Sequence, residues 1–108
     1  MKNTVLSLIF LVGAFASAQV QTPQPSPTAQ LSQTVGLTEV TVKYSRPSKK
    51  GRDIFGALVP FGEIWRTGAN QNTIISFSDA VTIADQEIAA GDYAIYTRPG
   101  KATWAIFF

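Results

Sequence analysis

The stretch Thr38-Glu39-Val40-Thr41-Val42-Lys43-Tyr44-Ser45 alternates strictly, with Val40, Val42 and Tyr44 on one side and Thr41, Lys43 and Ser45 on the other. A period of two with β-branched and aromatic residues is the pattern of a half-buried strand. Further along, residues 73–78 put Ile75 and Phe77 on one face, and Val81-Thr82-Ile83 repeats the pattern before a turn expected at Asp85-Gln86. Ile88 leads to a second turn signal at Ala90-Gly91-Asp92, residues 93–97 alternate again, and Pro99-Gly100 separates them from a last strand over 103–108. Short strands divided by turn residues, with no stretch of helical period, predict an all-β fold, an antiparallel β-sandwich or barrel. Trp104-Ala105-Ile106-Phe107-Phe108 is an apolar strand followed by no turn or polar tail. An edge of that kind invites aggregation, so partner strands are expected beyond Phe108 and the domain reads as incomplete at its C-terminus.

Between the strands, residues 44–72 carry glycines at 51, 56, 62 and 68 and prolines at 47 and 60, yet aromatic and aliphatic residues persist among them. Such a segment reads as a long ordered loop packed by its own side chains. Gly56 and Gly68 are read as positions of positive φ, and Trp65, Phe55, Phe61 and Trp104 as core more than as a ligand platform. The run resembles a family of exported bacterial proteins known only as a domain of unknown function. Its members share YSRPS, KGR-IFG-LVP-G and WRTGAN, then a strand and an AG-Y turn. Here those are residues 44–48, 50–52, 54–56, 58–60 with Gly62, 65–70, and Ala90-Gly91-Asp92-Tyr93. The resemblance covers residues 31–108. It implies a longer C-terminus and carries over no catalytic residue.

Lys43, Arg46, Lys49, Lys50 and Arg52 fall within ten residues, with no acid among them until Asp53. If the loop gathers Arg46, Lys50 and Arg52 with Arg66 and the Asn70 amide, it makes a site for a small anion or a polar glycan, because guanidinium groups grip carboxylate and phosphate bidentately. Trp65 supports that site or offers a stacking face to a ring. The competing reading leaves Lys49 and Lys50 solvated and has Arg46 and Arg66 hydrogen-bonded to loop carbonyls.

The chain of 108 residues contains no His and no Cys, which removes disulfides, thiolate metal sites, the cysteine nucleophile and the usual general base. No S-x-x-K, G-x-S-x-G or G-x-G-x-x-G is present, and Gly51 and Gly56 have P-loop spacing but are followed by Ala57 instead of Lys. Acids stand singly, and Asp85 with Glu87 is too small a set for a calcium ion. No metal or cofactor is therefore expected. The favoured reading is a non-catalytic binding module for a small anionic or carbohydrate ligand, or for an envelope partner. Two alternatives stand beside it: a carboxylate and arginine hydrolase using two of Asp53, Glu63 and Asp92, and a structural or assembly protein.

Met1-Lys2-Asn3, an apolar run from Val5 to Phe15 and Ala16-Ser17-Ala18 have the layout of a secretory leader cleaved after Ala18. The run is too short and too interrupted to span a bilayer, so residues 1–18 are expected to leave and the mature chain to be periplasmic or extracellular. Loss of Lys2 leaves 8 basic and 7 acidic residues. Without a strongly basic field, and outside the cytoplasm, nucleic acid is not an expected partner. Residues 19–30, with prolines at 23, 25 and 27, read as an extended spacer before a β domain over 31–108.

Overall fold

The structure, a computed structural model, describes residues 17–108. The apolar run expected as a leader lies outside the described residues. The described chain contains no helix and eight strands: β1 (Thr28–Val35), β2 (Thr38–Ser45), β3 (Ile74–Phe77), β4 (Val81–Ile83), β5 (Gln86–Ile88), β6 (Gly91–Ala94), β7 (Tyr96–Arg98) and β8 (Ala105–Phe107). A four-stranded sheet runs β1-β2-β3-β6, and β4-β5 and β7-β8 form two-stranded sheets; all pairings are antiparallel. The all-β antiparallel class is as expected. The sheets do not close into a barrel.

β1 and β2 meet through Gly36-Leu37, and Val35 pairs with Thr38. A two-residue hairpin turn of this kind needs positive φ at its first central residue, and Gly36 supplies it at 63°. The register then runs one to one to Thr28 opposite Ser45. Midway, the Ser32 and Thr41 hydroxyls share a hydrogen bond of 2.8 Å.

Residues opposite one another across antiparallel strands share a face. Leu31, Val42, Ile75 and Tyr93 therefore form one row, and Val40 and Phe77 a second on the same side. Thr41, Lys43, Ser76 and Asp92 take the other side, so the alternation visible in β2 organises the whole sheet. Phe77 is the anchor of the apolar side, 6% exposed, with its ring 6.1 Å from that of Tyr93.

The sequence departs from the structure where alternation continues but the partner changes. Residues 93–97 read as one strand, yet they divide at Ile95 between two sheets. β3 starts at Ile74, so the strand outruns its neighbour: the Ile95 N–H reaches the Thr73 carbonyl at 2.8 Å, and Thr97 then exchanges two hydrogen bonds with Trp65, at 2.7 and 2.9 Å. Backbone groups that lose one partner must find another, and here they find the loop and β8. The turn expected at Asp85-Gln86 lies one residue earlier, at Ala84-Asp85, both with positive φ (50° and 63°). Gly91 opens β6 instead of standing in a turn. The buried centre lies where residues 46–72 cross the ends of β2, β3 and β7: Val59 and Pro99, with the hydroxyl residues Ser45, Thr73 and Thr97.

Candidate ligand-binding cleft

After β2 the chain makes one more ladder bond, Arg46 N–H to the Pro27 carbonyl at 2.8 Å, and then leaves the sheet at Pro47. A turn follows in which Lys50 has φ 51°. Arg52 closes it: its Nε donates to the Lys49 carbonyl at 3.0 Å and its Nη2 to the Ser48 carbonyl at 2.9 Å. The carbonyl-binding role expected of Arg46 and Arg66 thus belongs to Arg52, because its side chain folds back over the turn that precedes it. A second knot joins Ile54, Gly56 and Val59, with Val59 N–H on the Ile54 carbonyl and Gly56 N–H on the Val59 carbonyl, both at 2.8 Å. This turns the Val59 side chain inward, 8% exposed. Gly62 N–H then binds the carbonyl of buried Pro99 at 2.8 Å.

Trp65 is the hub. Its backbone pairs with Thr97, and its ring meets Phe55 at 5.9 Å and Trp104 at 6.5 Å, both edge to face, while Phe55 and Trp104 stand 4.8 Å apart. Edge-to-face contacts are favourable beyond the area they bury. Trp65 is therefore half-buried support, as the core reading expects. Phe55, Phe61 and Trp104, also read as core, are instead exposed, with Phe55 and Trp104 packing on Trp65 and each other while their outer faces stay in solvent.

The residues after Trp65 hold a strained turn. Thr67 has φ 59°, which is costly for a β-branched residue. Three contacts hold it there: its hydroxyl shares a 2.9 Å bond with that of Thr97 and donates to the Trp65 carbonyl at 3.3 Å, and its carbonyl accepts from the Thr73 hydroxyl. Gly68 follows at φ 155°, and a Cβ there would stand 3.2 Å from the Thr73 hydroxyl. Asn70, also at positive φ, donates from Nδ2 to the Ser26 carbonyl at 3.3 Å, tying the N-terminal arm to the loop.

These elements frame a cleft of about 550 Å³. Of the residues expected to share a site, Arg52, Trp65 and Arg66 line it. Arg46 and Lys50 do not, and Asn70 faces a second cleft beside Tyr44 and Gln71. The first cleft also contains Lys49, read from sequence as solvated, together with Glu63, Leu58 and Ile64. Leu58 and Ile64 are more than half exposed there, and their persistence in a Gly- and Pro-rich segment was the signal that could have placed them. Glu63 is the acid in the lining; Asp53 is outside it and Asp92 lies across from Ser76 on the sheet. The paired carboxylates a glycosidase requires are thus not assembled in this cleft. Among the described residues no three acidic side chains converge on a common point.

Residues 26–108 match the family described as protein of unknown function (DUF2911). The chain belongs to that family. No curated protein and no solved structure matches it. The DUF2911 match begins at Ser26, the residue whose carbonyl Asn70 holds and which itself lines the cleft. Among the described residues, no helix of this DUF2911 chain is long and apolar enough to cross a membrane. What its cleft offers chemically is cationic Arg66 and Lys49 and the Glu63 carboxylate beside an apolar wall, with Nε and Nη2 of Arg52 donating to the loop.

Proposed function

We propose that the chain is a non-catalytic binding module whose cleft takes a small ligand with an anionic group and an apolar body. The observation that carries this reading is the placement of Arg66 and Lys49 on the same cleft as Phe55, Leu58 and Ile64. A guanidinium and an ammonium recognise a carboxylate or phosphate, and half-exposed apolar side chains favour a hydrophobic body over a sugar. A glycan would call on several polar side chains to fix its hydroxyls, and apart from its cations the lining supplies Glu63, Ser26 and Ser48. The same apolar rim favours, as a second reading, an envelope protein that docks an apolar side chain here.

Titration with alkyl and aromatic carboxylates, inorganic phosphate and neutral glycans, followed by tryptophan fluorescence and amide NMR shifts, tests the proposal. Arg66→Ala is expected to weaken carboxylate binding about tenfold or more, the scale of one charge-assisted hydrogen bond. Lys50→Ala, outside the cleft, leaves binding unchanged. Binding of glycans alone, or equal loss in the two variants, contradicts the assignment. Export belongs to the same proposal and rests on residues 1–18; a mature chain beginning at Gln19 in the periplasm or medium is the expected outcome.

A further inference from the structure

β1 is an edge strand of the four-stranded sheet, and it lacks the devices that normally block such edges. Short length, charged side chains, proline and bulges are the usual protections. β1 is eight residues long, Thr28-Ala29-Gln30-Leu31-Ser32-Gln33-Thr34-Val35, with no charge and no proline, and pairs with β2 without a bulge. The other edge, β6, is four residues long and carries Asp92. One edge is protected and the other is open.

The direction of the backbone groups on β1 follows from the bonds beside it. Successive residues of a strand aim their N–H and C=O to opposite sides. The Pro27 carbonyl accepts from Arg46 N–H, and on the far side of β2 the Glu39 carbonyl accepts from Ser78 N–H. Residues 29, 31, 33 and 35 therefore face β2, and Thr28, Gln30, Ser32 and Thr34 aim their backbone groups away from the sheet.

We infer that β1 pairs antiparallel with β1 of a second copy about a two-fold axis, joining two four-stranded sheets edge to edge. The four outward-facing residues are centred on Leu31, so the register centred there uses all of them. Thr28 lies opposite Thr34 of the second copy, and Gln30 opposite Ser32. Leu31 meets its own symmetry mate at a non-hydrogen-bonded position, where Cα atoms approach to about 4.5 Å. It lies on the face that carries Val42, Ile75 and Tyr93, so pairing continues the apolar row across the axis and covers a leucine that is 62% exposed in one copy. A two-fold axis sets each residue near it against a copy of the same stretch, and like charges there would repel. The neutral composition of β1 fits this self-pairing, whereas no charged side chain along the edge selects an unrelated peptide.

The chain contains no cysteine, so Leu31→Cys introduces its only thiol, at a spacing a disulfide accepts. Mild oxidation is expected to give a disulfide-linked dimer for Leu31→Cys, and far less for Val35→Cys, whose counterpart in this register is Pro27. Sedimentation of the parent chain is expected to give twice the monomer mass. Gln30→Pro is expected to run as a monomer with an unchanged far-ultraviolet spectrum, since its N–H points outward and proline there costs no bond to β2. A parent that stays monomeric with no Leu31→Cys cross-link overturns the inference. So does a dimer that survives Gln30→Pro, or a monomer that binds an extended peptide along β1 instead.

Discussion

In the four-stranded sheet every strand finds its partner in an unbroken register, and the side chains sort to two faces by alternation alone. Residues 46–72 have no such ladder. Their backbone is tied by isolated bonds to the Pro27, Thr97 and Pro99 regions and by an edge-to-face trio of aromatic rings. The sheet distributes its stability over many equivalent contacts, whereas the loop concentrates it in a few residues that several neighbours share. The cleft belongs to the second kind of structure, because irregular backbone can point Arg66, Lys49 and Leu58 into one space while a pleat sends neighbours to opposite faces.

The largest expected effect is in the sheet. Phe77→Ala removes the buried anchor of the apolar face and should cost about 3–5 kcal/mol, read as a lowered denaturation midpoint with protection lost from the whole sheet in hydrogen exchange. Trp65→Ala should cost about 2 kcal/mol, since the ring is half-buried. Its exchange signature should differ, with amides of residues 52–70 exposed and those of β2 and β3 retained; uniform loss would erase the distinction between the two regions. Thr73→Val keeps the shape but deprives the Thr67 carbonyl of its donor, for an expected loss of about 1–2 kcal/mol, and it should loosen the strained turn after Trp65.

Smaller changes sharpen the same contrast. Arg52→Ala removes two hydrogen bonds from an exposed turn and should cost about 1 kcal/mol, with chemical-shift changes confined to residues 47–54. In the β4-β5 turn, Ala84 holds φ 50° without the local hydrogen bonding that lets asparagine tolerate that region. Ala84→Asn should stabilise by roughly 0.5 kcal/mol, raising the melting temperature by about 2–4 °C.

Legibility followed the same division. β2, β3 and β4 were readable because Val40, Val42, Ile75, Phe77 and Val81 sit on a period of two. β1 was not, since Gln30, Ser32 and Gln33 blur its alternation and three prolines stand just before it. Of the cleft, the residue types in the lining were legible and its membership less so. Arg52, Arg66 and Trp65 line the cleft beside Lys49 and Glu63, while Lys50, adjacent to Lys49 and at positive φ, lies outside the lining.

From the residues alone came the antiparallel all-β class, the apolar face of the central sheet, the loop-rich middle segment and the family motif. These follow from local periodicity and from turn chemistry, which act over a few residues. Only the tertiary structure decided that the strand over 93–97 changes sheets at Ile95, that Arg52 is spent on its own turn, and that Lys49 and Arg66 share a cleft. Those outcomes depend on which distant backbone groups and rings meet when the loop crosses the strand ends, and no period along the chain encodes that crossing.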